Sequence, residues 1–229
     1  MYKKGIVWLY VFLIAALADI ALLLHAAPSY RLLSKPLIVA ALLGYFLQST
    51  VLIKGSILRI SVSAALIFAV AGDILLMYPG LYLYGMGAFF MTHICYIVAF
   101  KLTQNHIFNP LRVNFIKMFF YNLPIYILAA FIYFLIHRQL LELKIPLIVY
   151  LLATVMMVTL ARERFGRTHA ASFWQVFIGA FFMFTSNAIQ ALDKFFYPVP
   201  DGKILIMGTY VLAQLLIIMG IRSHLVHIR

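Results

Sequence analysis

The sequence predicts an all-α membrane protein, a bundle of eight transmembrane helices. Three observations lead there. First, 66% of the 229 residues are hydrophobic and only 10% are charged, with a mean hydropathy of +1.04. A soluble domain of that balance would need an apolar surface. Second, the apolar residues fall in unbroken runs of roughly 20, the length that crosses a bilayer as a helix. Backbone groups in lipid must be satisfied within the segment or by a closed barrel, and continuous rather than alternating runs select helices. Third, the basic residues lie between the runs. The net charge of +12 therefore reads as a topology signal and does not call for nucleic acid.

The spans are expected at about 6–26, 37–53, 57–77, 81–101, 117–136, 145–161, 172–192 and 204–221, within 1–229 as a single integral membrane domain. Lys3 and Lys4, an apolar run and Ala26-Ala27-Pro28 together resemble a signal peptide. Asp19 inside the run argues against cleavage, so this run is taken as the first span. The N-terminus, the even-numbered loops and the C-terminus carry Lys3, Lys4, Lys54, Arg59, Lys101, Arg112, Lys117, Arg162, Arg164, Arg167, Arg222 and Arg229. The odd-numbered loops carry Arg31, Lys35, Arg138, Lys144, Lys194 and Lys203. This bias predicts both termini in the cytoplasm, and the compact loops suggest a bacterial plasma membrane. Six prolines, Pro28, Pro36, Pro79, Pro146, Pro198 and Pro200, are expected at span ends and Pro124 alone inside a span.

The two halves of the chain look alike. Lys35-Pro36-Leu37-Ile38-Val39 opens span two, and Lys144-Ile145-Pro146-Leu147-Ile148-Val149 opens span six. Asp73 precedes Pro79 as Asn187 precedes Pro198. Gly87 stands six residues before His93, as Gly208 does before Gln214. Four spans per half make such a duplication a parallel 4+4 internal repeat, with its axis along the membrane normal. Asp73 and Asn187 are then expected to face each other at one depth.

The stretch Ala71–Pro79 carries the chemistry. Asp73 lies near the end of an apolar run, where an ionisable side chain is costly and marks a functional site by default. Asn187, in an otherwise apolar run, matters through its equivalence to Asp73. His93 and Tyr96 in span four, and Tyr210 and Gln214 in span eight, lie at depths reachable from Asp73. Lys35 stands at an outer helix start, as a snorkelling lysine or a phosphate-binding cation. Asp19 shares the outer half with Asp73, and a role beside it is open. Asp193 and Lys194 read as a pair at the interface. Cys95 is alone and reads as a small buried side chain. His25, His106, His137, His169, His224 and His227 lie at span ends or in loops without ligand spacing. No metal site, Gly-rich phosphate loop, CxxC or HExxH stands in the sequence, so no cofactor is expected.

These residues carry a resemblance. Lys35-Pro36, Gly72-Asp73 with Leu75-Leu76, Phe89-Phe90 with His93, Tyr96 and Phe100, and Tyr150 with Met157 and Ala161-Arg162 follow in order. Gly179-Ala180-Phe181-Phe182 with Ser186 and Ala191, Lys194-Phe195 with Pro198, and Thr209-Tyr210 with Ala213-Gln214 complete the series. Together they resemble the YhhN/TMEM86 family of integral membrane proteins, whose characterised members are lysoplasmalogenases. The resemblance implies hydrolysis of the vinyl ether bond of lysoplasmalogen to a fatty aldehyde and glycerophosphoethanolamine or glycerophosphocholine. It implies a lysophospholipid substrate drawn from membrane lipid, and no metal. In that chemistry one carboxylic acid protonates the vinyl ether and a second negative group offsets the cation that forms. The family's usual Ser-Asp of span seven reads Ser186-Asn187 here, so the second carboxylate is missing.

Asp73 and Asn187 are thus the expected catalytic residues, with Lys35, His93, Tyr96, Tyr210 and Gln214 around substrate, in a polar cavity centred on Asp73. The alternatives are a membrane transporter, since repeats and midplane polar groups occur there too, and a non-catalytic lipid-binding relative.

Overall fold

The structure is a computed structural model that describes residues 2–25, 30–53, 55–104 and 115–227. Ala26–Pro28, Lys54, His106, Arg112 and Arg229 lie outside the described residues, as do the side chains of Lys3, Lys4, Lys117 and His227. The described residues form eight long helices and no strand: α1 (Tyr2–Leu24), α2 (Arg31–Ser49), α3 (Ile57–Leu75), α4 (Tyr82–Leu102), α5 (Phe115–Ile136), α6 (Lys144–Arg162), α7 (Ala170–Phe195) and α8 (Gly202–His227). All eight contain stretches long and apolar enough to cross a membrane. Large apolar side chains such as Val7, Ile14 and Leu17 of α1 are exposed, as expected where the solvent is lipid.

Span two differs from its expected bounds. The helix starts at Arg31, not near 37, and Pro36 lies inside it. Pro36 is the sixth residue of the helix, past the first N–H groups that have no partner within it, so it removes one intrahelical bond close to the helix start. Two prolines, Pro36 and Pro124, therefore sit inside described helices, where one was expected. The consequence is local: Lys35 is a helical residue whose side chain turns inward.

Six helices pack as a ring in the order α2, α3, α4, α6, α7 and α8, which returns to α2. Helix α1 packs mainly against α2 and α8, and α5 against α6 and α7. The closest seam is α7–α8. A Cβ on Gly220 would lie 2.6 Å from Val176 Cγ2 and 2.9 Å from Val176 N, and one on Gly179 would lie 2.9 Å from Ile217 N. Small residues let backbones approach like this where lipid supplies no hydrophobic drive.

Two polar clusters tie the ends of the bundle. At the end where α1 finishes and α2 begins, fully buried Asp19 accepts from Arg31 Nε at 3.2 Å, from Arg31 Nη2 at 2.9 Å and from Ser34 Oγ at 2.6 Å. Asp19 is thus engaged with the first turn of α2, not with Asp73. At the opposite end, fully buried Arg164 donates from Nε to Thr103 Oγ1 at 3.0 Å and from Nη2 to Ser172 Oγ at 2.8 Å. Ser172 Oγ in turn donates to Gly220 O at 2.6 Å. Burial pulls the Arg164 guanidinium down to about 10, which leaves it charged at neutral pH. Its partners are neutral oxygens: that of Thr103 at the C-terminal end of α4, where carbonyl dipoles favour a cation, and those of Ser172 in the first turn of α7.

The Asp19 cluster holds the turn from which Lys35 projects. Asp19→Leu is expected to lower stability by about 3–5 kcal/mol, the cost of leaving a buried ion pair broken. The check is the thermal unfolding midpoint in detergent. Adding Arg31→Met should recover part of the loss, because no unpaired guanidinium then remains.

Candidate active site

Asp73 is the centre of the polar interior. It lies in the last turn of α3, and its side chain is fully buried. Tyr210 Oη of α8 donates to Asp73 Oδ2 at 2.9 Å. Lys35 Nζ of α2 stands 3.3 Å from Asp73 Oδ1, and its side chain is 18% exposed. Gln214, one turn beyond Tyr210, donates from Nε2 to Tyr210 Oη at 3.4 Å. Tyr96 Oη of α4 donates to Gln214 Oε1. Each donor in the series points toward Asp73, from Tyr96 through Gln214 and Tyr210 to the carboxylate. Such a chain polarises in one direction, and each bond strengthens the next.

The other candidates form a second group. Asn187 Nδ2 of α7 lies 3.2 Å from His93 Nε2 of α4. The His93 ring meets Tyr150 of α6 edge to face, with centroids 5.1 Å apart. If the amide donates, His93 is neutral and carries its proton on Nδ1. Asn187 is bonded to His93 and not to Asp73, so the two equivalent positions of the expected repeat belong to separate hydrogen-bonded groups.

Phe89 stands between the groups. Its ring meets Tyr210 edge to face at 5.8 Å. It also lies flat against α3, where a Cβ on Gly72 would come within 2.7 Å of Phe89 Cδ2 and Cε2. Glycine at 72 therefore lets an aromatic ring sit beside Asp73.

The cavity also departs from expectation. It is not a polar space around Asp73. It is a largely apolar cleft, open in part to the outside, between α4, α5, α6 and α7 with Leu76 in its wall. Its walls include Tyr82, Met86 and Phe89 of α4, Ile132 and Ile136 of α5, Leu147, Tyr150 and Thr154 of α6, and Phe184, Asn187, Gln190 and Ala191 of α7. Asn187 faces the cleft directly. Asp73 is not among the wall residues; Phe89 is, and its ring packs against Gly72, the residue before Asp73. Among the described residues, no three His, Cys, Asp or Glu side chains are grouped to hold a metal ion.

Asp193 and Lys194 do not pair. Asp193 Oδ1 accepts from Val199 N at 2.9 Å and so caps the turn into α8. Lys194 Nζ sits 3.9 Å from the centre of the Tyr82 ring. The parts of this arrangement not foreseen are Phe89 as a partition, Tyr82 as a wall and the position of Lys194. Lys194 was legible: seven residues from Asn187 is nearly two full helical turns. Nothing in the sequence marked Tyr82.

An added methyl at Gly72 must displace Phe89. Gly72→Ala is expected to destabilise by about 1–3 kcal/mol, as overpacking does. Thermal unfolding in detergent checks it, and Phe89→Leu in the same chain should restore most of the loss.

Residues 30–221 match the family model described as the YhhN family. The chain is similar to the protein named Lysoplasmalogenase TMEM86B from Sus scrofa, 30% identical over 159 residues, which cover 69% of this chain and 61% of that protein. Its Homo sapiens counterpart is 32% identical over 154 residues, covering 67% and 59%. The Mus musculus counterpart is 27% identical over 166 residues, covering 70% and 65%. The match thus spans about three-fifths of the length of these relatives. No solved structure matches. With eight membrane-length helices and a family match over most of its length, the chain is an integral membrane protein and belongs to the YhhN family.

Proposed function

We propose that this protein hydrolyses the vinyl ether bond of lysoplasmalogen, releasing a fatty aldehyde and a glycerophospho-ethanolamine or glycerophospho-choline. The relatives are named for a lysoplasmalogenase activity, which supports the reaction class. The observation that carries the reading is a buried carboxyl at the end of a one-way hydrogen-bond chain, one ring away from an apolar cleft.

The chemistry runs as follows. As a carboxylic acid, Asp73 transfers its proton to the β-carbon of the vinyl ether. The double-bond electrons form the new C–H bond and leave an oxocarbenium ion. Tyr210 and Lys35 hold the carboxylate that remains, and that anion faces the cation. Water adds to the cationic carbon and returns a proton to Asp73, giving a hemiacetal. The hemiacetal collapses: its hydroxyl becomes the aldehyde carbonyl, and the glycerol oxygen leaves with a proton. Asn187, its amide fixed by His93, orients the water at the cleft wall. Tyr96 and Gln214 hold the Tyr210 hydroxyl in its donating direction. For the acid to meet the bond, the Phe89 ring must swing off Gly72. We place both termini in the cytoplasm, on the bias of basic residues between the ends of the bundle.

A second reading has its own observation. The Phe89 ring lines the cleft where Asp73 does not, and Asn187 stands where an acid is usual in the family. Both suit a relative that binds or moves a single-chain lipid without cleaving it.

Aldehyde release from lysoplasmalogen by the purified, detergent-solubilised protein separates the two. The expected result is activity in wild type and a loss of about 100-fold or more in folded Asp73→Asn, the scale of general acid catalysis. Asn187→Asp is expected to run faster, since it supplies a second negative charge for the cation. If folded wild type releases no aldehyde with either head group, the lipid-binding reading replaces the hydrolase.

A further inference from the structure

Four residues of α7 lie on one face. Asn187, then Gln190 and Ala191, then Lys194 follow at i, i+3, i+4 and i+7, the spacing that returns to the same side of a helix. Asn187, Gln190 and Ala191 are cleft wall. The stripe continues to Lys194, which is exposed and sits on the ring of the wall residue Tyr82.

The Lys194 ammonium is held there by aromatic faces. Nζ lies 3.9 Å from the Tyr82 ring centre and 5.9 Å from that of Phe195, and those two rings meet edge to face at 6.1 Å. Tyr82 is itself a cleft wall in the first turn of α4. An aromatic face attracts a cation without taking up its hydrogens, and an ammonium has three of them to donate. Among the described residues Lys194 has no acidic partner: the carboxylate beside it in sequence, Asp193, is turned to the backbone of Val199. The other lysine at this end with a buried contact, Lys35, is committed to Asp73.

We propose that Lys194, seated on the cleft-wall residue Tyr82, binds the phosphodiester of a single-chain phospholipid head group. This rests on the reading that the cleft takes a lysolipid. A lysine acts on phosphate as a compact point charge. The distances agree with that use. Seven helical residues separate Lys194 from Asn187, a rise of about 10 Å. Three glycerol carbons and two oxygens separate phosphorus from the vinyl carbon, and they fit within that rise. With phosphate on Lys194, the vinyl ether lies beside Asn187 and the chain descends along Met86, Phe89 and Phe184. Tyr82 is a positioning residue in this scheme, because it acts through the lysine.

Two non-cleavable ligands test it: a 1-O-alkyl lysophosphatidylcholine, which keeps the phosphodiester, and a 1-O-alkylglycerol, which lacks it. Binding to the detergent-solubilised protein is read by ligand-induced thermal shift. Lys194→Gln is expected to weaken the phospholipid by about tenfold, the scale of one charge-assisted hydrogen bond, and to leave the alkylglycerol unchanged. Lys194→Arg is expected to retain most of the affinity. Equal affinity of wild type and Lys194→Gln for the phospholipid overturns the proposal. So does an equal loss with both ligands, which would mean that the lysine only shapes the cleft, and so does a wild type that binds neither. Inorganic phosphate serves as competitor: displacement of the lysolipid at millimolar-scale phosphate would assign the cation to the free ion instead of the head group. Neither ligand can be cleaved. A wild type that binds the phospholipid through Lys194 but releases no aldehyde in the assay above would defeat the hydrolase and leave this site standing.

Discussion

The structure depends on how a carboxyl group is kept inside an apolar bundle. Asp73 has no water to solvate it, and an unpaired buried charge would be too costly to hold. Tyr210 and Lys35 answer that cost from two helices that are far from α3 in sequence or adjacent to it. Their own placement requires more of the chain. Tyr210 needs Gln214 and Tyr96 to fix its hydroxyl, and Lys35 needs the first turn of α2, pinned by Asp19 through Arg31 and Ser34. Satisfying one acidic group thus connects α1, α2, α3, α4 and α8.

This dependence also explains why the polar interior is divided. Hydrogen bonds consume the reach of each side chain, so Asp73 and Asn187 cannot both belong to one tight network without a group to bridge them. The helix between them supplies a ring instead. Phe89 packs against Gly72 and Tyr210 and lines the cleft on the side of the acid. Asn187, with His93 and Tyr150 behind it, forms the polar part of the cleft wall. On the hydrolase reading, the ring is the moving part. On the lipid-binding reading, it stays in place. The same geometry serves both, and the chemistry of position 187 is what tips one against the other.

The cleft adds directionality. Its walls include Leu76 after α3, Tyr82 in the first turn of α4 and Gln190 and Ala191 near the end of α7, and most of the lining is apolar. A single-chain lipid placed head outward has its first bonds past glycerol at the depth of Asn187. The aromatic seat of Lys194 and the amide of Asn187 then act on one molecule at two points along one helical face, and this registers the reacting bond by its distance from the head group.

Much of this was legible in the residues. Hydropathy and run length set the eight helices, because a bilayer demands about 20 apolar residues per span and internally bonded backbone. Asp73 announced itself by cost alone. Tyr210, Gln214, Tyr96, His93 and Lys35 followed as the polar groups within reach of its depth. What the linear chain could not contain was pairing. Asp19 and Arg31 have ordinary partners once α1 and α2 are side by side, but nothing local distinguishes Asp19 from an acid meant for Asp73. Whether Asn187 meets Asp73 or His93 depends on the rotation of α7 about its axis, which the close contacts of Gly179 with α8 and of Gly220 in α8 with Val176 of α7 constrain. The position of the cleft depends on which of the larger side chains leave a gap between four helices. Composition and periodicity determine that these helices exist and which face is costly to expose; only their packing decides which polar group answers which, because that choice is made by rotations and contacts between segments distant in sequence.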